Sequence, residues 1–136
     1  MNEYPFTLLV TLALVLLGVL LAKRVSTARL EFSQSDQPSV AQHSIEIYSD
    51  PKFMIAFCNQ MNLVEHLILF LPTLWIFAFG FSDVLAAVVG LGYFIGRVSY
   101  ARSYPHSHKF GYTLAWISML VLMTGAVARS IYQLIA

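Results

Sequence analysis

From Phe53 to Phe81 the chain carries one formal charge, Glu65, and any fold open to this sequence has to accommodate that carboxylate. At a bilayer centre an ionised side chain costs roughly 2.5–3.5 kcal/mol, so such a group persists only with a partner or a task. A water-soluble fold offers no escape. The 136 residues are 58% hydrophobic and 11% charged, whereas soluble domains carry about 25% charged residues. The solvent is therefore mostly lipid, and the length suits one domain spanning residues 1–136. A net charge of +1 argues against a nucleic-acid partner, which requires a basic face. The single cysteine, Cys58, excludes an internal disulfide and a cysteine-based zinc site.

Apolar patterning predicts an all-α fold of four membrane-spanning helices at approximately 5–26, 52–80, 83–104 and 110–132. The first run follows Glu3 rather than a basic segment and no clear cleavage site follows it, so it reads as a retained span. Asp50 is placed to cap the second helix and Pro51 suits its first position. Pro72 frees a carbonyl one turn earlier and predicts a kink. The turn at 80–83 is too short for anything but an antiparallel neighbour, with Ser82 or Asp83 as the cap of the third helix, and Pro105 ends that helix. Gly90, Gly92 and Gly96 let the third helix approach a neighbour closely. The segment from Arg29 to Ser49 is polar and reads as a loop. Lys23, Arg24, Arg29 and Lys52 lie in or beside the first connection, and Arg97, Arg102 and Lys109 in or beside the third, leaving Arg129 as the exception. The positive-inside rule then puts both connections in the cytoplasm and both termini outside, giving an up-down antiparallel bundle.

Two helical faces concentrate the polar groups. Cys58, Asn62 and Glu65 fall at i, i+4 and i+7, and Arg97, Tyr100 and Tyr104 at i, i+3 and i+7. An antiparallel pair brings these faces together near the cytoplasmic side, and the expected product is a buried Glu65–Arg97 charge pair with Asn62 and the tyrosines completing its hydrogen bonds. The plainer alternative is that these groups only glue helices together, with the tyrosines marking the membrane interface. Cys58 is either a nucleophile or an inert small hydrophobe. His66 points to another face, as a helix–helix hydrogen bond rather than a ligand. His106 and His108 form an H-x-H pair on a short loop without further ligands, and no metal is expected. Phosphate loops, Ser–His–Asp sets and H-E-x-x-H motifs are absent from the sequence.

The run Gln60-Met61-Asn62-Leu63-Val64-Glu65, followed by Leu69-Phe70-Leu71-Pro72-Thr73-Leu74-Trp75, resembles the second-helix signature of the MAPEG family, membrane-associated proteins in eicosanoid and glutathione metabolism. Gly96-Arg97-Val98-Ser99-Tyr100 and Tyr104 resemble its third-helix motif, and Ser49-Asp50-Pro51 the helix entry of its microsomal branch. The chain is thus similar to a bacterial-type, microsomal glutathione transferase-like member, with a bacterial inner membrane as the expected location. The resemblance implies a homotrimer that binds glutathione between subunits, open to the cytoplasm. It implies Gln60, Asn62, Glu65, Arg97, Tyr100 and Tyr104 as glutathione contacts, with Glu65 accepting from the amine and Arg97 and the tyrosines holding carboxylates and backbone.

Two departures stand out. The family has an arginine four residues before the asparagine, and here that residue is Cys58. Many members carry a thiol-ionising arginine in the loop after the second tyrosine, where this chain offers only Lys109. A nearby cation lowers a thiol pKa from about 8.5, so losing one weakens activation, and it weakens carboxylate capture as well. Arg24, Arg29, Lys52 and Lys109 are the compensating candidates, with Arg24, Arg29 and Lys109 taken as those for the thiol. The expected function is a glutathione-dependent transferase or peroxidase acting on lipophilic electrophiles or lipid hydroperoxides drawn from the bilayer. Alternatives are a non-catalytic lipid-binding member, suggested by Cys58, and a small four-span transporter using Glu65 as a proton or cation site.

Overall fold

The computed structural model describes residues 3–34, 45–107 and 109–135. Four helices carry them: α1 Pro5–Gln34, α2 Pro51–Gly80, α3 Asp83–Ser103 and α4 Lys109–Ile135, with a short 3-10 turn at Ile45–Ser49. All four are long and apolar enough to cross a membrane, and no strand occurs among the described residues. α1 packs on α2 and α3, α4 packs on the same two, and α1 and α4 lie diagonally opposite. Leu9, Leu16, Ile68, Phe79, Val88 and Ile117 point outward, a surface that lipid solvates and water does not.

The core runs the length of the bundle. Leu14, Phe70, Leu74, Tyr93 and Leu122 form its centre, with the Phe70 and Tyr93 rings stacked at 3.6 Å. Leu17, Leu21, Leu63 and Ala101 extend it toward the end that carries the 35–50 and 104–108 connections. At that end α1 does not stop near residue 26 but continues to Gln34, so the start of the expected loop from Arg29 is helical. The reason is a short apolar stripe: Val25 and Ala28 are buried against Ile47 and Phe53, with Phe32 beside them. Arg29 lies 5.4 Å from the Phe53 ring centre, a cation–π contact that also holds the segment down.

Asp50 caps α2 as its placement predicts, accepting from the Phe53 amide at 2.8 Å with Pro51 at the first helical position. α2 continues as helix through Pro72. Ser82 occupies the N-cap position of α3 but makes no side-chain cap, and Asp83 serves a different helix. Its carboxylate accepts from the Phe6 and Thr7 amides at 2.9 and 2.7 Å, satisfying the open N–H groups at the start of α1. Asp83→Ala is therefore expected to lower the thermal midpoint in detergent and to speed hydrogen exchange at the Phe6 and Thr7 amides specifically. Exchange unchanged at those two positions would show the cap to be idle.

α3 and α4 make the tightest contact in the bundle. A Cβ built on Gly96 would lie 2.8 Å from the Ala115 amide nitrogen, and one on Gly111 would lie 2.5 Å from that of Tyr100. Glycine at both positions is what lets the two backbones touch. Gly90 gives room to Val10 and Leu74, and Gly92 lies against the Ser118 hydroxyl. All three glycines singled out in the sequence thus face a neighbouring helix.

Candidate functional site

α2 runs away from the end that carries the 35–50 connection while α3 runs toward it, so residues 58–65 of α2 and 97–104 of α3 lie at similar depth. The Arg97 guanidinium is 2% exposed and donates from Nη2 to the Asn62 Oδ1 at 2.8 Å. It also stands 4.9 Å from the Tyr100 ring centre. The Tyr100 and Tyr104 rings follow at 5.6 Å, with the Cys58 side chain beside Tyr104. A continuous polar strip thus links Asn62, Arg97, Tyr100, Tyr104 and Cys58. Two faces recognised by helical spacing meet here because the helices are antiparallel neighbours.

The expected Glu65–Arg97 ion pair does not form within the chain. Among the described residues the recorded ion pair is Lys52 with Glu31 at 3.7 Å, and Glu65 is exposed. Helical geometry explains this: the three residues from Asn62 to Glu65 turn the side chain by about 300°, which leaves it about 60° round from the asparagine. Asn62 therefore takes the buried guanidinium and Glu65 stays on the flank. Gln60 is half-buried, outside the strip of contacts. Of the proposed cations, Arg24 and Lys109 are exposed and Arg29 is half-buried against Phe53.

The histidines divide differently. His66 makes an edge-on ring contact with Trp116 of α4 at 5.6 Å, so it joins two helices as expected but through the ring and not a hydrogen bond. His106 is exposed, and His108 lies outside the described residues. No group of three or more His, Cys, Asp or Glu side chains able to hold a metal occurs among the described residues.

A further side chain joins the site from outside the two polar faces. Asn59 is 4% exposed and donates from Nδ2 to the Ala101 carbonyl at 3.0 Å, tying α2 to α3 beside the polar strip. Its own signal was available: an asparagine next to Cys58 in an otherwise apolar run has to be buried or lipid-facing, and lipid is the costlier choice.

Charge defines what this arrangement can do. Arg97 is enclosed with one amide oxygen and a tyrosine face, its Nε has no hydrogen-bond partner, and no carboxylate lies within ion-pair distance among the described residues. A buried cation without a counter-ion carries a desolvation cost that a bound anion would offset. Arginine presents a planar fork that matches a carboxylate, and tyrosine hydroxyls add donors beside it. The strip is therefore suited to an anionic, hydrogen-bonding ligand of peptide-like polarity.

Comparison with known proteins gives consistent relatives. The MAPEG family profile matches residues 7–132. Leukotriene C4 synthase of Mus musculus is 30% identical over 135 residues, covering 99% of this chain and 79% of the relative. Microsomal glutathione S-transferase 2 of Homo sapiens is 31% identical over 107 residues, covering 75% of this chain and 67% of the relative. An uncharacterized protein of Synechocystis is 35% identical over 78 residues, a match that spans 55% of this chain and 57% of that protein's length.

Proposed function

The chain belongs to the MAPEG family, and from that premise we propose that it is a glutathione-dependent membrane transferase or peroxidase acting on lipophilic electrophiles or lipid hydroperoxides. The observation that carries the reading is the enclosed Arg97 guanidinium, hydrogen-bonded to Asn62 and lacking a carboxylate partner. Glutathione has two carboxylates to offer it. Arg97, Tyr100 and Tyr104 are the donors for carboxylate and peptide groups, and Gln60 and Asn62 complete the amide hydrogen bonds. Glu65 receives the ammonium. Its exposure in the single chain suits a site closed by a neighbouring subunit, and a homotrimer is the assembly we propose. The basic end of the bundle then faces the cytoplasm, where glutathione is plentiful.

Glutathione loses its thiol proton to water and its sulfur bonds to an electrophilic carbon as the leaving group, halide in an aromatic halide, departs; alternatively two molecules of it are oxidised to the disulfide as a hydroperoxide becomes alcohol and water. The protein holds the tripeptide by its charged ends, points its thiol toward the bilayer, and places a lipid-soluble co-substrate beside it. Arg24, Arg29 and Lys109 are the cations available to favour the thiolate. Purified protein in detergent, glutathione and a chromogenic aromatic halide test the reading. Turnover with saturable glutathione binding is expected, and absence of both removes it.

Cys58 favours a second reading, a non-catalytic lipid-binding member. The thiol lies beside Tyr104 at the position where the family arginine would add a cation. Restoring it is informative: Cys58→Arg is expected to tighten glutathione binding about tenfold, since one charge-assisted hydrogen bond contributes roughly 1.5–3 kcal/mol. Calorimetry checks this, and an unchanged affinity would mean that the arginine's loss is not what limits binding. Glu65 is not locked to Arg97 in the single chain, so family membership, rather than that pair, disfavours a proton-coupled transporter.

A further inference from the structure

A cavity of about 380 Å³ lies between α1 and α3, away from the polar strip. Its walls are apolar along its length, with Leu16 and Leu20 on α1 and Phe94 and Val98 on α3, and it ends at two arginines, Arg24 and Arg102. None of Cys58, Gln60, Asn62, Glu65, Arg97, Tyr100 or Tyr104 lines it. Both arginines are exposed, and neither forms an ion pair among the described residues. The trough reaches from Ala13 to Arg24 along α1. At a rise of about 1.5 Å per residue this is roughly 16 Å, close to one leaflet's share of a hydrocarbon core about 30 Å thick.

We propose that the α1–α3 groove is a binding site for an anionic glycerophospholipid, with an acyl chain in the trough and the headgroup phosphate held between Arg24 and Arg102. Charge and shape select this occupant together. Two guanidiniums at one mouth match a phosphate bidentately. They stand at the basic end of the bundle, the level at which headgroups of that leaflet lie. A free phosphate has no use for the apolar trough, and an uncharged or zwitterionic lipid has less use for two arginines. A neighbouring cavity shares Leu20 and Arg24 with this one and adds Lys23, while its Lys52 is paired with Glu31. The site also gives Arg24 a role other than thiol activation.

Native mass spectrometry of the detergent-purified protein tests the proposal with three probes: phosphatidylglycerol, phosphatidylcholine of identical chains, and glycerol 3-phosphate. Phosphatidylglycerol is expected to be retained at least about tenfold better than phosphatidylcholine, about 1.4 kcal/mol, and glycerol 3-phosphate not at all. The Arg24→Gln/Arg102→Gln double variant should lose the preference between the two lipids, and Leu20→Trp, which fills the trough, should lose retention of both. Unchanged helicity by circular dichroism certifies that each variant is folded. Equal retention of the two lipids, a preference that survives the double variant, or retention unaffected by Leu20→Trp each overturns the assignment. Retention of glycerol 3-phosphate alone would make it a phosphate site and overturn the lipid.

Discussion

Arg97→Met is expected to weaken glutathione binding by at least about 100-fold, roughly 2.7 kcal/mol, while the bundle stays folded. The two effects separate because the guanidinium contributes differently to each. For folding, its burial at 2% exposure carries a desolvation cost that its one hydrogen bond, to Asn62, offsets in part. Methionine removes that cost, fills similar space and strands one half-buried amide oxygen, so the net change in stability is within about 2 kcal/mol. For binding, methionine removes the enclosed cation to which we assign a glutathione carboxylate, and charge-assisted hydrogen bonds contribute about 1.5–3 kcal/mol each. Arg97→Lys is expected to fall between the two, since it keeps the charge and loses the fork. Calorimetry with glutathione, paired with thermal unfolding in detergent, reads both quantities. A dissociation constant unmoved by Arg97→Met would take the ligand away from this strip.

The largest stability effect is expected at the α3–α4 crossing. In Gly111→Ala the new methyl would sit 2.5 Å from the Tyr100 amide nitrogen, 2.6 Å from the Gly96 carbonyl oxygen and 3.0 Å from the Tyr100 Cα. These are backbone atoms of a continuous helix, so no side chain can swing aside and the helices have to separate. Overpacking of this kind costs about 1–3 kcal/mol and occasionally more, against a helix-propensity gain of up to about 1 kcal/mol for replacing glycine. The displaced atom belongs to Tyr100, which stands against Arg97. Glutathione affinity is therefore expected to fall together with the thermal midpoint. Gly18→Ala is the matched control: its methyl would meet only Leu63 Cδ2 at 4.0 Å, an ordinary contact. That variant keeps the propensity gain and is expected to raise the midpoint. Thermal unfolding of the pair decides the matter, and a Gly111→Ala midpoint at or above that of the parent chain would show that this crossing is not tight.

Much of this molecule was legible in the chain. Long uncharged runs leave only helices in lipid, because every backbone group has to be satisfied within its own segment. Four such runs with a short turn between the second and third fix an antiparallel order. Spacing alone put Cys58, Asn62 and Glu65 on one polar face and Arg97, Tyr100 and Tyr104 on another, and residue size marked Gly96 as a close-approach residue. Asp50 was readable as a cap because its partner is local, three residues along the same helix.

What the sequence could not give are the pairings that depend on how helices rotate against each other. Arg97 takes Asn62 and leaves Glu65 on the flank, a choice set by about 60° of helix rotation. Asp83 caps α1 across the bundle and not its own helix, because packing carries the start of α1 over the turn at 80–83. Asn59 reaches the Ala101 carbonyl and Gly111 meets Tyr100 on the same grounds. Periodicity reports which residues share a face and is silent on which face of a neighbour they meet. That second fact comes from close packing summed over the whole interface, and only the assembled bundle holds it.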